Sequence, residues 1–93
     1  MRRLVVLGGG ESGVGAALLG KEKEYNVFLS DAGKIAKKYK DVLKHNEIEW
    51  EDKGHTESKI LNADEVIKSP GIPDHIPLIE KLKLASILVI SEI

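Results

Sequence analysis

A three-layer α/β fold, with a parallel sheet held between helices, is what this sequence predicts. Three observations carry that expectation. Short apolar runs alternate with amphipathic stretches along the whole chain, the pattern of strands joined by crossover helices. The first apolar run, Leu4–Leu7, feeds directly into Gly8-Gly9-Gly10-Glu11-Ser12-Gly13, a GxGxxG turn between a strand and a helix. The residues that interrupt regular structure gather where strands end, in GGGESG, SDAG and SPGIP.

Leu4–Leu7 is uniformly apolar, as a parallel strand covered on both faces must be. Residues 13–23 follow as a helix, with Val14, Ala16, Ala17, Leu18 and Leu19 apolar and a charged run, Lys21-Glu22-Lys23-Glu24, at its end. Asn26–Ser30 is the second strand. Lys34–His45 is an amphipathic helix: Ile35, Tyr39, Val42 and Leu43 recur at helical spacing, and the lysines take the other face. Ile48 and Trp50 alternate with Glu47, Glu49 and Glu51, which predicts a strand near an edge with one wet face, ended by Gly54. Ser58–Asn62 is a short helix. Val66 and Ile67 form the next strand, which runs into Ser69-Pro70-Gly71-Ile72-Pro73. Residues 75–83 are the last helix, with Leu78, Ile79 and Leu82 inward and Pro77 tolerated only in the first turn. Ser86–Ile90 closes the sheet.

Right-handed crossovers make strand order 3-2-1-4-5 the expected arrangement of five parallel strands, a Rossmann-like sheet. The winding then reverses between the first and fourth strands. Such sheets bind ligands beyond the carboxyl ends of their strands at that reversal. GGGESG, SDAG and SPGIP are expected to converge there.

The 93 residues fit a single domain, 1–93. A net charge of −1, one Trp, two Tyr and one Phe supply no basic groove with interleaved aromatics, so nucleic acid is not an expected partner. The absence of cysteine excludes disulfides and a thiolate nucleophile. No apolar run approaches the ~20 residues of a membrane span. The first strand begins too close to Met1 for a signal peptide, so a cytoplasmic protein is expected. His45, His55 and His75, about 10 and 20 residues apart, match no common metal pattern and read as surface histidines. There is no GxxxxGK[ST] loop for a triphosphate, no triad and no carboxylate pair, so the chain reads as a binding domain without chemistry of its own.

Within the glycine turn, Gly8 is read as the tight bend. Gly10 is the point where a phosphate approaches the backbone, and Gly13 is where the helix packs closely on the strand. The free amides and positive dipole end of that helix would face the anion. The same glycines can also do no more than join strand to helix. Glu11 would repel a phosphate unless it meets solvent or a sugar hydroxyl, and it is expected to point away. Ser12 can donate its hydroxyl or cap the helix. Asp31 follows Gly13 by about 18 residues, near the ~20 typical of an acid that accepts from a nucleotide hydroxyl. It also fits as the cap of the helix at Lys34. Pro70 holds Ser69 extended and Gly71 tolerates a positive φ, which suits a ligand's close approach or simply a rigid β–α turn.

Taken together, GGGESGVGAALL, the acid ending the second strand, GHTESKILNADEVIKSPGIP and the closing ISEI resemble the N-terminal domain of the Mur ligases, in particular those that add D-glutamate in peptidoglycan synthesis. The resemblance covers essentially the whole chain, and SPGIP after NADEVIKS is its more specific part. It implies a Rossmann-like domain that binds the uridine diphosphate part of UDP-N-acetylmuramoyl-L-alanine. It also implies a larger three-domain enzyme whose other domains take ATP, magnesium and D-glutamate. This chain would be the first domain, with no catalytic residue, metal or cofactor of its own, and inactive alone. By position, Glu11, Ser12 and Gly13 would meet the diphosphate. Asp31, Ala32 and Gly33 would lie along the uracil and ribose, and Ser69, Pro70 and Gly71 would close the opposite side. Some relatives carry larger polar residues where Ala32 and Gly33 stand, which leaves fewer side-chain contacts to the base here. A monomer is expected. The alternative reading is a small NAD-binding regulatory module of the same fold.

Overall fold

Strand β1 (Arg3–Leu7) must lie in the middle of the sheet, because Val5, Val6 and Leu7 are all fully buried and their alternating side chains need cover on both faces. The computed structural model describes residues 1–91; Glu92 and Ile93, the end of ISEI, lie outside the described residues. Helix α1 (Glu11–Glu22), strand β2 (Asn26–Ser30), helix α2 (Lys37–His45) and strand β3 (Glu49–Glu51) form one wing. Helix α3 (Glu57–Ile60), strand β4 (Glu65–Lys68), helix α4 (Pro77–Leu84) and strand β5 (Leu88–Ser91) form the other. The sheet is parallel throughout, in the expected order β3-β2-β1-β4-β5.

The period-two geometry of β1 divides the core. Leu4 and Val6 point to one face, where they join Val14 and Ala17 of α1, Val27 and Leu29 of β2, and Leu43 of α2. Val5 and Leu7 point to the other, with Phe28, Val66, Ile60 of α3, and Leu78, Ile79 and Leu82 of α4. Each face is therefore closed by two helices. Trp50 and Glu51 of the edge strand β3 remain partly exposed, as the charged alternation of that segment predicts.

Several element ends differ from the sequence expectation, each for a local reason. α1 starts at Glu11 instead of residue 13, because Gly10 already takes the N-cap position with extended dihedrals. α2 starts at Lys37 instead of Lys34. Ile35 is a buried plug of the core, and its amide donates to Asp52 Oδ2 at 3.1 Å rather than entering a helix. α3 is Glu57–Ile60 rather than Ser58–Asn62, since the Leu61 amide closes the turn on Glu57 O at 2.8 Å. α4 takes Pro77 at its first position, where the missing N–H costs nothing. β5 begins at Leu88 rather than Ser86, because Ser86 turns left-handed (φ 60°) and bonds back to Lys83 O.

Phe28 bridges β2 to the helices of the second face with no exposure at all. Phe28→Ala is expected to lower unfolding free energy by about 3–5 kcal/mol, read as a shifted urea midpoint with an unchanged slope.

Candidate functional site: a cleft at the reversal of winding

The turn after β1 is built from glycines with different duties. Gly8 has φ +118°, a conformation that excludes ordinary side chains, and a Cβ there would stand 3.0 Å from Ser69 Cβ. Its amide donates to Ser30 O at 2.8 Å, while the Ser69 amide donates to Leu7 O at 2.9 Å. The tips of β2, β1 and β4 are thus laced together. A Cβ on Gly13 would overlap the Gly8 carbonyl oxygen, so α1 can reach the strand only with glycine at that position. Gly10 has open space around it and ordinary extended dihedrals, so its glycine is not required by packing.

Val14 is the first residue of α1 to bond within the helix, to Gly10 O at 2.9 Å. The amides of Gly10, Glu11, Ser12 and Gly13 have no backbone partner among the described residues, as the start of any helix requires. They open into a cleft of about 540 Å3 beside the β1–β4 boundary, within the range of roughly 300–1,000 Å3 usual for small-molecule sites.

Of the residues singled out in the sequence, Gly8, Gly10, Glu11, Ser12, Gly13, Asp31, Ala32, Ser69 and Gly71 line this cleft. Gly33 and Pro70 sit in the same loops but are not among the lining residues. Gly33 has its amide on Asp31 Oδ1 at 2.8 Å and its carbonyl on the Lys53 amide at 2.8 Å. Asp31 and Ser12 do not cap helices: the N-cap residues are Ala36 and Gly10, neither with a side-chain cap bond. Asp31 is instead a brace. Its Oδ2 accepts from the Gly9 amide at 2.7 Å and its Oδ1 from the Gly33 amide. A carboxylate oxygen has a second lone pair, so both remain able to accept from a ligand.

Gly9, Ile72 and Pro73 lie in the loops expected to converge but were not singled out as site residues, and His55 and Ile76, which also line the cleft, lie outside those loops. His55 is half-buried there, not a free surface residue. The one available signal was positional: it follows β3, so it stands at the same carboxyl edge as the three expected loops. No Lys or Arg is among the lining residues. An anion in this cleft would therefore meet backbone amides rather than a side-chain cation.

Two ionic arrangements hold the walls, one with a buried lysine and one half-buried. Lys68, only 3% exposed, donates to Ile72 O at 2.7 Å and Ser91 Oγ at 3.2 Å and pairs with Asp74 at 3.2 Å, which fixes the SPGIP loop on the end of β4. On the other side, Asp52 holds the Ile35 amide and pairs with Lys40 Nζ at 3.2 Å. The Ile35 hydrogen bond holds the Asp52 carboxyl below its ordinary value, against the upward push of burial and with help from Lys40. Burial also pushes Glu51 up. The donors of Thr56 and Ser30, with His55 nearby, outweigh that push and hold Glu51 below the usual glutamate value.

The fold and cleft define a Rossmann-like α/β domain with a glycine-rich binding edge. Residues 3–77 match the MurD N-terminal domain family, and the chain belongs to that family. It is 65% identical over 92 residues to the UDP-N-acetylmuramoylalanine--D-glutamate ligase of Christiangramia forsetii, covering 99% of this chain. It is 59% identical over 93 residues to the ligase of the same name from Bacteroides thetaiotaomicron, covering 100% of this chain. The chain spans 21% of the length of each of these relatives. Among solved structures, a pseudomurein peptide ligase type C from Methanothermus fervidus superposes with a TM-score of 0.81 at 26% identity, over 97% of this chain and 19% of that one. Among the described residues, no helix is long and apolar enough to cross a membrane.

Gly13→Ala is expected to destabilise the chain by about 1–3 kcal/mol or more through forced separation of α1 from β1, whereas Gly10→Ala leaves the thermal midpoint within a degree or two. Paired thermal melts by circular dichroism check the contrast. A carboxyl whose folded pKa lies below its unfolded value adds stability that is complete above the unfolded value and disappears as pH falls through the folded one. Urea midpoints of the wild type are therefore expected to fall steadily on acidification below about pH 5, and Glu51→Gln to flatten part of that fall.

Proposed function

We propose that this chain is the substrate-nucleotide domain of an ATP- and magnesium-dependent amide ligase that adds D-glutamate to UDP-N-acetylmuramoyl-L-alanine in peptidoglycan synthesis. In that role it holds the uridine diphosphate part of the substrate. The supporting observation is the cleft itself: four amides without a backbone partner among the described residues, at a glycine-rich turn and at the winding reversal of a MurD N-terminal domain.

In this reading the diphosphate rests on the amides from Gly10 to Gly13, and the empty space at Gly10 is where a phosphate oxygen approaches. Glu11 turns to solvent or to a sugar hydroxyl, and Ser12 donates its hydroxyl. Asp31 uses its remaining lone pairs on the ribose or base, beside the backbone of Ala32 and Gly33. Ser69, Pro70 and Gly71 form the facing wall. ATP, magnesium and D-glutamate belong to other domains of the parent enzyme, so this domain binds no cofactor and is inactive alone. The parent works as a cytoplasmic monomer with no nucleic-acid or membrane partner.

Each amide–dipole contact contributes roughly 0.3–1 kcal/mol when exposed and up to about 2 when partly buried. The domain alone should therefore bind weakly, at a Kd of about 1 mM, or about −4 kcal/mol. Amide NMR titrations with UDP, UDP-N-acetylglucosamine and NAD provide the test. Shifts at Gly10, Ser12, Asp31 and Ser69 are expected with both uridine nucleotides and not with NAD. Gly10→Val should abolish them while the spectrum stays folded. Preferential shifts with NAD, or uridine shifts that survive Gly10→Val, would contradict the proposal.

A further inference from the structure

Ser30 ends β2 with its side chain fully buried. Its hydroxyl stands 2.8 Å from Glu51 Oε2 and 2.7 Å from His55 Nδ1. A hydroxyl carries one proton, so it donates to only one of them. Glu51 also accepts from the Thr56 amide and the Thr56 hydroxyl, each at 2.6 Å. Three donors aimed at one carboxyl group suit its ionised form, which only accepts. If the Ser30 proton turned to His55, the Ser30 and Glu51 oxygens would face each other at 2.8 Å with no hydrogen between them. Ser30 therefore donates to Glu51, and His55 Nδ1–H donates to Ser30. A neutral His55 so held carries its bare lone pair on Nε2. That atom makes no hydrogen bond among the described residues, and His55 is one of the residues lining the cleft.

We propose that His55 is a ligand-contacting residue, whose Nε2 accepts a hydrogen bond from an N–H or O–H donor on the nucleoside half of the bound nucleotide; this rests on the uridine diphosphate reading above. Ser30 and Glu51 are positioning residues that set the tautomer and the ring's direction. Three observations favour the nucleoside over the diphosphate. His55 is tied through Ser30 to the tip of β2, which carries Asp31, and not to the start of α1. The segment leading to it is bonded to the same loop: the Gly54 amide donates to Asp31 O at 3.2 Å and the Lys53 amide to Gly33 O at 2.8 Å. Ala32 and Gly33 contribute no polar side chain there, so beside Asp31 the imidazole supplies the missing side-chain acceptor. The donor is the imide N–H of the base or a ribose hydroxyl, and both present the same chemistry to Nε2.

The test combines imidazole 15N NMR with titrations of the chain by UDP, N3-methyl-UDP and 2′-deoxy-UDP. At a pH high enough for the ring to be neutral, the free chain is expected to show the His55 proton on Nδ1 and Nε2 bare, and UDP should shift Nε2. His55→Ala should weaken UDP about fivefold to tenfold, the loss of one hydrogen bond. His55→Gln, which returns an acceptor near the Nε2 position, should recover most of it. In the wild type, one of the two analogues should lose the same factor, and in His55→Ala that analogue should lose nothing more. A methyl-sensitive result assigns the base and a deoxy-sensitive result assigns the ribose. The inference is overturned if His55→Ala binds UDP as the wild type does while the Gly10–Gly13 amides still shift, an outcome that leaves the nucleotide reading standing. It is also overturned if neither analogue is impaired, or if Nδ1 proves bare. UDP that shifts no cleft amide overturns the nucleotide reading and this inference with it.

Discussion

The backbone of Gly13 lies against the carbonyl of Gly8 more closely than any side chain permits, and the cleft exists because of that contact. With it, the first turn of α1 sits directly over the tip of β1, and the unpaired amides open at the reversal of the sheet. Gly20 repeats the arrangement one end of the helix later, where a Cβ would stand 2.6 Å from Leu4 Cδ2. Gly13, Ala17 and Gly20 share one buried helix face, and their small size lets α1 lie flat on β1. Larger residues there would lift the helix and carry its amides away from the strand tips.

A second set of constraints makes the walls stiff. The β2 loop is braced from within by Asp31, which ties Gly9 to Gly33, and from behind by the loop after β3 through Asp52, Lys53 and Gly54. The SPGIP loop is braced by Lys68, whose buried charge is matched by Asp74 and by carbonyl and hydroxyl oxygens. A buried ammonium without such partners would cost far more than it contributes. The charged groups that shape the cleft therefore spend their interactions on its frame. That leaves the lining neutral or acidic, and an anion depends on backbone amides.

Much of this was legible in the sequence because it rests on local pattern. The all-apolar first strand, the GxGxxG spacing and the alternation of elements were enough for strand order, the converging loops, the bend at Gly8 and the close packing at Gly13. What sequence could not supply were relations between distant residues. Ile35 has the right helical spacing from Tyr39, yet it stays outside the helix: the chain is extended at Ala36, and Asp52 and the core hold Ile35 before the helix begins. Asp31 resembles a helix cap in sequence, but a neighbouring loop engages its carboxylate first. His55 looks like a surface residue until Ser30, on another strand, is seen to anchor its ring. Each of these depends on a hydrogen bond between segments far apart in sequence, which periodicity does not encode.

The central claim is that a pyrophosphate is seated on the amides between Gly10 and Gly13. A crystal structure of the chain grown with UDP tests it most directly. The diphosphate oxygens are expected within hydrogen-bonding distance of those amide nitrogens, with the nucleoside lying toward Asp31. A diphosphate at the far end of the strands, beside Tyr25 and Glu47, would contradict it.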